Sequence, residues 1–273
     1  MKLIALDLDG TLLNSDKVVS QRNFAALSLA ARQGHVIVPT TGRALRAIPE
    51  QVMAFPFLHY AITINGAKVS DTRTGEALLR AEIALDTCLR LLDFVGRYDA
   101  MYDCYWNDTG WLDRSFLERV RYYNSDDEVV TLLRRTRAPV DDLKAFLRKN
   151  GQPVQKVQLC FRDMAERETA RSEIAAAFPE ILVTSSFRNN LELNAANADK
   201  GRALLALAQH LGIPAADTIA FGDSSNDLRM LRAAGTSVAM GNAASEVRAV
   251  CDYVTEANDR DGVAAFLYAH VLH

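Results

Sequence analysis

The sequence has few cysteines, no long uncharged apolar segment and nearly balanced charges. Its four cysteines among 273 residues are scattered without a Cys-x-x-Cys pair, so neither a disulfide framework nor a zinc site is expected. No segment reaches the roughly 18 uncharged apolar residues of a membrane-spanning helix, and the first residues lack the long apolar run of a signal peptide. The net charge of -3 argues against nucleic-acid binding, which usually needs a basic surplus. These absences predict a cytoplasmic protein that binds neither nucleic acid nor membrane.

Short apolar runs alternate with amphipathic helical patterns at both ends of the chain. The strands expected from these runs are residues 2–7, 36–38, 61–64, 218–221 and 236–240. The expected helices are residues 20–34, 43 to about 53, 200–210, 226–234 and 261–271. Repeated strand–helix units favour an α/β fold with a parallel sheet and right-handed crossovers.

The middle of the chain has a different pattern and is richer in aromatic residues. Helical patterns are expected at 84–97, 139–149 and 164–177, and strand-like runs at 99–106, 154–161 and 181–185. This mixture predicts an α+β insertion that divides one α/β domain into two sequence segments. The predicted boundaries are 1–83 and 189–273 for the α/β core and 84–188 for the inserted domain.

Asp7 and Asp9 directly follow the first apolar strand. If the extended geometry continues, side chains two residues apart lie on the same side of the strand. Carboxylates this close need a cation or a shared proton, and Mg²⁺ is a natural partner because it prefers oxygen ligands and phosphate-bearing substrates. An ordinary acidic turn after a strand is the alternative. The apolar strand before the pair and the Gly-Thr turn after it favour a functional site.

Two further segments carry groups that suit an anion. Thr41 and Gly42 follow the second strand, where a hydroxyl and backbone N–H groups could bind phosphate, although Thr41 could equally cap a helix. Lys200 is predicted near a helix start, where its charge opposes the helix dipole. That position is explained if the lysine serves a phosphate oxygen, and a solvated surface lysine is the alternative.

The segment from Gly222 to Asp227 follows another apolar strand and brings two more carboxylates and an amide. Asp223 could supply a carboxylate to the same cation as Asp7. The alternative is helix capping by Asp223 or Ser224, with Asp227 on an exposed first turn.

Together these segments resemble the motifs of the haloacid-dehalogenase-like superfamily of phosphohydrolases. The matching positions are Asp7 to Thr11 for Asp-x-Asp-Gly-Thr, Thr41 for the second motif, Lys200 for the third, and Gly222 to Asp227 for Gly-Asp-x-x-Asn-Asp. The chain looks more narrowly like the Cof-type subfamily, with Thr-Gly-Arg, Asn-Gly, Lys-Gly and the Met-Gly-Asn-Ala segment from Met240 to Ala243. The resemblance covers nearly the whole chain. It implies a Rossmann-like core with a smaller α+β cap of the C2 type, inserted between the second and third motifs.

The resemblance also implies a function and a set of site residues. The implied function is a magnesium-dependent phosphatase of small phosphorylated metabolites, such as sugar phosphates, nucleotides or pyridoxal phosphate, working as a monomer or homodimer. Asp7 would be the nucleophile that forms an aspartyl-phosphate, and Asp9 the general acid and base. The implied Mg²⁺ ligands are Asp7, Asp9 through its backbone carbonyl, Asp223, and Asp227 in support. The implied phosphate-binding residues are Leu8, Thr41, Gly42, Lys200 and Asn226.

Two other functions remain open at this point. A sugar-phosphate mutase or phosphotransferase would use the same aspartyl-phosphate and would interconvert isomers without releasing phosphate. A receiver-like module would bind magnesium and signal through phosphorylation of Asp7, but such a module is much shorter and would not need Asp9 together with a large cap.

Overall fold

The computed structural model describes residues 1–186 and 188–272, which form two compact units. The first unit combines Met1–Arg80 with the segment from Asp199 onward, and the second is Ala81–Ala198. The strands are β1 Leu3–Leu6, β2 Val36–Pro39, β3 Tyr60–Thr63, β4 Lys68–Asp71, β5 Ala77–Arg80, β6 Ala100–Trp106, β7 Thr109–Asp113, β8 Arg137–Val140, β9 Lys156–Phe161, β10 Ile181–Thr184, β11 Asn190–Ala195, β12 Thr218–Gly222, β13 Thr236–Ala239 and β14 Tyr253–Val254. The helices are α1 Gln21–Arg32, α2 Glu50–Met53, α3 Leu85–Val95, α4 Arg114–Glu118, α5 Val120–Tyr123, α6 Asp127–Thr136, α7 Leu143–Asn150, α8 Met164–Ala177, α9 Lys200–His210, α10 Leu228–Ala233, α11 Ser245–Arg248 and α12 Gly262–His270.

The first unit is built on a five-stranded parallel sheet in the order β14-β13-β12-β1-β2. Side chains alternate across β1, so that Ile4 and Leu6 pack in a core with residues of α1 and α12. Leu3 and Ala5 point to the opposite face, where they pack with residues of α9 and α10. Helices therefore cover both faces, as expected for a buried parallel sheet. The predicted α/β fold class is confirmed.

The segment after β2 differs from the prediction. The expected helix from 43 to about 53 is wrong, because a 3₁₀ turn at Leu45–Ala47 is followed, after Pro49, by the four-residue helix α2. Proline has no N–H to donate and favours an extended residue before it, so a continuous helix could not pass this point.

The third expected strand also pairs differently from the prediction. β3 joins a separate antiparallel sheet, β3-β4-β5, and contacts β2 through one parallel bridge between Thr40 and Ile62. The turn between β3 and β4 contains Asn65 and Gly66 in the left-handed region, at φ 57° and 92°. This is the conformation that an Asn-Gly turn predicts.

The second unit contains a six-stranded sheet in the order β10-β11-β9-β6-β7-β8. All neighbouring strands are antiparallel except β7 and β8. Helices at the three expected places, α3, α7 and α8, complete an α+β unit. The predicted boundary between residues 188 and 189 falls too early, because β11 follows it and pairs with β9 inside this unit.

Over residues 1–186 and 188–272, no helix is both long and apolar enough to cross a membrane.

Candidate active site

The ends of β1 and β12 bring two acidic segments together. The two strands are parallel neighbours with Leu6 opposite Phe221, and the backbone N–H of Asp7 donates to the carbonyl of Phe221 at 3.1 Å. Asp7 and Asp223 therefore leave adjacent strands at the same edge of the sheet. In an open α/β sheet, a ligand site usually lies at the carboxyl ends of the strands. Its usual position is the point where the connections from two adjacent strands run in opposite directions.

Three carboxylates meet at this edge. One oxygen each from Asp7, Asp223 and Asp227 lies within 4.8 Å of the others. The ammonium of Lys200, a fully buried side chain at the first position of α9, lies 2.6 Å from both Asp7 and Asp227. Lys200 is thus no solvated surface lysine. The ammonium pairs with Asp7 and Asp227, and the carboxylate of Asp223 adds a third negative charge to the group.

The pKa values of the cluster follow from burial and this charge excess. Burial, together with Asp227 and Asp223, raises the pKa of Asp7 well above its ordinary value despite the attraction of Lys200. Burial and the charge of Asp227 raise the pKa of Asp223 to about 6. Burial alone would lower the pKa of Lys200, but Asp227 and Asp7 raise it above its ordinary value. The carboxylates therefore stabilise the charged form of Lys200, and the cluster still carries more negative than positive charge.

The loop after β1 is held against Asp223. Gly10 has φ +77°, and a Cβ there would come within 2.5 Å of Oδ2 of Asp223. The hydroxyl of Thr11 donates to Oδ1 of Asp223 at 3.0 Å. The side-chain amide of Asn242 donates to the carbonyl of Gly10 at 2.8 Å. Glycine is required at position 10 for both its backbone angle and this close approach.

Asp227 is fixed by hydrogen bonds from the segment that precedes it. Its Oδ2 accepts from the backbone N–H groups of Asp223 and Ser224 at 3.0 Å each, and Oδ1 accepts from Lys200. Ser224 is the N-cap in a reciprocal capping box with Asp227. The helix capping that the sequence suggested as an alternative to a site is therefore present at Ser224. The same bonds orient the Asp227 carboxylate toward Lys200, and Asp227 is fully buried rather than exposed.

The Asp9 carboxylate pairs with an arginine. β1 ends at Leu6, so the strand from which Asp7 and Asp9 were expected to share one side does not extend to Asp9. The Asp9 carboxylate instead accepts two hydrogen bonds from Arg43, at 2.7 and 2.8 Å, and is not among the three carboxylates that converge. Burial opposes its ionisation, but Arg43, assisted by Lys17, holds the pKa of Asp9 below its ordinary value.

Thr41 and Gly42 form part of a turn, not the start of a helix. Thr41 is buried, and its hydroxyl oxygen accepts from the backbone N–H of Arg43 at 3.2 Å. The helix-capping alternative is wrong, because the first helical turn begins only at Leu45. The hydroxyl acts as an acceptor in this bond, so the bond does not use its donor capacity.

Asn226 lies beside the Asn65–Gly66 turn. Its side-chain N–H donates to Oδ1 of Asn65 at 3.3 Å, and its own Oδ1 is buried without a hydrogen-bond partner among the described residues. A buried amide with one unused end suits a ligand.

Sequence reasoning missed several contacts at the site. Asn65 belongs to the Asn-Gly pair of the subfamily resemblance, and it also contacts Asn226. Arg43 ends the Thr-Gly-Arg segment of the subfamily resemblance, and it binds Asp9. Thr11 and Asn242 lie within motifs that were recognised, which was the available signal, but composition and spacing do not reveal their partners.

Comparison with known proteins agrees with this arrangement. A sequence model described as haloacid dehalogenase-like hydrolase matches residues 4–267. The phosphatase YwpJ of Bacillus subtilis is 32% identical, over 97% of this chain and 98% of its own length. The 5-amino-6-(5-phospho-D-ribitylamino)uracil phosphatase YcsE of the same organism is 28% identical, over 100% of this chain and 96% of its own. A solved haloacid dehalogenase-like hydrolase from B. subtilis superimposes over the whole of both chains with a TM-score of 0.85 at 30% identity.

Proposed function

Because the chain belongs to the haloacid dehalogenase-like hydrolase family and is a phosphoric monoester hydrolase, we propose that it hydrolyses small phosphate esters through a transient phosphate on Asp7. The observation that carries this proposal is the convergence of Asp7, Asp223 and Asp227, two of which, Asp7 and Asp227, pair with the buried Lys200. A nucleophilic carboxylate beside a fixed cation is the arrangement that phosphoryl transfer to a carboxylate requires.

The same cluster supports a requirement for Mg²⁺. Three carboxylates converge where one ammonium pairs with two of them, and burial together with the charge of Asp227 raises the pKa of Asp223. Carboxylate oxygens are ligands that Mg²⁺ favours, so the donor set fits the ion. We assign Asp7, Asp223, the backbone carbonyl of Asp9 and, in support, Asp227 to hold it. When bound, the ion would neutralise charge that develops on the phosphoryl oxygens.

Asp7 and Asp9 can together carry both halves of the reaction. A carboxylate oxygen of Asp7 bonds to phosphorus as the ester P–O bond breaks, and Asp9 gives a proton to the leaving oxygen. Water then bonds to phosphorus, Asp9 takes up its proton, and the bond to Asp7 breaks to release phosphate. Lys200, Thr41, Asn226 and the backbone N–H groups of Leu8 and Gly42 would bind the phosphoryl oxygens, as in other phosphoryl-transfer sites.

We propose as substrate class the phosphate monoesters of small polar alcohols. YcsE acts on a phosphorylated ribitylamino-uracil, and we extend to this chain only the class that such a substrate represents. Sugar phosphates, nucleotides and pyridoxal phosphate are members of the same class and belong in one assay panel.

Phosphate release from such a panel with Mg²⁺ tests the proposal. Wild-type protein should release phosphate, and Asp7→Asn should abolish release while the circular dichroism spectrum stays unchanged. Rapidly quenched wild type should carry one phosphoryl group on Asp7, detectable by peptide mass spectrometry. An Asp7→Asn variant with full activity would refute the nucleophile. Isomerised sugar phosphate without free phosphate would point to the mutase reaction.

A further inference from the structure

We propose that Arg43 is a positioning residue that holds the Asp9 carboxyl group in the orientation its proton transfers need. The inference rests on the proposed function, because Asp9 acts as acid and base only if Asp7 is phosphorylated. It assigns Arg43 to proton transfer rather than to phosphate binding or to surface charge.

The contact between the two side chains is a two-point grip. Nε of Arg43 lies 2.7 Å from Oδ2 of Asp9, and Nη2 lies 2.8 Å from Oδ1. Two parallel bonds from a planar guanidinium fix the plane and the rotation of a carboxyl group, which a single point charge does not. Nζ of Lys17 lies 3.5 Å from Oδ1 of Asp9, and the Lys17 side chain is half-exposed. This single, longer contact does not fix the orientation of the carboxyl group.

Arg43 is itself anchored, which distinguishes this pair from an ordinary surface ion pair. Nη1 donates to the carbonyl of Ala47 at 2.9 Å, and the backbone N–H donates to the hydroxyl of Thr41. Only 18% of the Arg43 side chain is exposed, whereas 32% of Asp9 is. The guanidinium thus forms a fixed support, and the acid retains access to solvent for proton exchange.

The two-point grip can hold the Asp9 carboxyl group in both protonation states, and Arg43 favours the ionised state that accepts a proton. When Asp9 carries a proton on one oxygen, its other oxygen still accepts from Arg43, so the group stays oriented while it donates to the leaving oxygen. When Asp9 has lost that proton, both oxygens accept from Arg43, as observed, and one oxygen can take a proton from the attacking water. Misplacing such a group can cost about 10²-fold in rate.

Leaving-group dependence tests this role. The value of kcat/KM covers only steps up to departure of the leaving group, and p-nitrophenolate departs without a proton while a sugar or alkyl alkoxide needs one. Arg43→Ala should therefore lower kcat/KM for an alkyl phosphate by about 10²-fold and for p-nitrophenyl phosphate by only a few-fold. Arg43→Lys keeps the charge but not the two-point grip, and it should show the same bias to a smaller extent.

Arg46→Ala is the matched control, because Arg46 is an exposed arginine only three residues further along the chain, in the 3₁₀ turn Leu45–Ala47. It should leave both kcat/KM values near those of wild type. Equal losses on both substrates in Arg43→Ala would overturn the proposal, since phosphate binding or a structural role acts on both alike. A wild type that hydrolyses neither substrate would refute the proposed function instead, so the two failures are distinguishable.

Discussion

Gly10 and Asp223 are so close that a single added methyl group cannot fit between them. The Cβ of an alanine at position 10 would come within 2.5 Å of Oδ2 and 2.8 Å of Cγ of Asp223. Gly10 belongs to the loop after β1, and Asp223 to the loop after β12. The smallest residue thus sets the separation of two acidic loops that come from distant parts of the sequence.

Gly10→Ala should push the Asp223 carboxylate out of the acidic cluster. We expect a higher Mg²⁺ concentration at half-maximal activity and a loss of about 10²-fold or more in kcat/KM. Gly75→Ala is the matched control, because Gly75 has φ +75° and no atom within 4 Å of its added Cβ. Both variants should lose about 1 kcal/mol of unfolding free energy from backbone strain. Equal activity in the two variants would contradict the role given to this contact.

Lys200→Met should remove the buried ammonium that pairs with Asp7 and Asp227. Breaking a buried ion pair leaves uncompensated charge, and we expect about 3 kcal/mol less unfolding free energy in urea denaturation. Activity should fall by about 10²-fold or more. Lys2→Met serves as control, because Lys2 pairs with Asp217 at 3.4 Å on the surface and should change stability by less than about 1 kcal/mol. A stable, active Lys200→Met would contradict the central position of this lysine.

Stability of the metal-free protein should depend on pH through Asp223. Its pKa is raised to about 6 in the folded protein from an unfolded value of 3.8, so the folded state binds the proton more tightly. The resulting stabilisation is complete below 3.8 and is lost as the pH rises through about 6. Asp223→Asn removes this titration, so the difference in unfolding free energy between wild type and variant should change across that window. A difference that is constant with pH would contradict the prediction.

Removal of divalent metal should stop turnover without unfolding the protein. We expect EDTA to abolish p-nitrophenyl phosphate hydrolysis and added Mg²⁺ to restore it, because the negatively charged cluster would repel a phosphate ester. The circular dichroism spectrum should remain that of the untreated protein, since the apolar cores of the unit do not involve the cluster. Full activity after complete chelation would exclude this role for the metal.

Much of the first unit follows from apolar patterning and capping signals. Four-residue apolar runs mark β1 and β2, and Ser20 caps α1 by accepting from the N–H of Asn23. Local sequence patterns did not predict the structure where a proline or a left-handed turn changes the direction of the chain. Pro49 ends the expected helix, and the left-handed Asn65–Gly66 turn folds β3 onto β4. The highly charged segment from residue 114 to 136 forms three short helices that the sequence pattern did not indicate.

The candidate site was predictable where it depends on motif chemistry and unpredictable where it depends on long-range contacts. Asp7, Asp223 and Lys200 were selected from their positions after strands or at a helix start, and the structure brings them together. The partner of Asp9 was not selected. Arg43 is 34 residues away along the chain, and only tertiary packing decides whether such an arginine meets a carboxylate or solvent.

The second unit enters the chain after Arg80 and leaves before Asp199, while every carboxylate of the acidic cluster belongs to the first unit. The ligand atoms are therefore set by strand ends whose order in the sheet does not depend on the sequence between them. Residues 81–198 can change in length or composition across descendants of one ancestor without altering those atoms. The acidic cluster and the inserted unit are therefore separate targets for mutation.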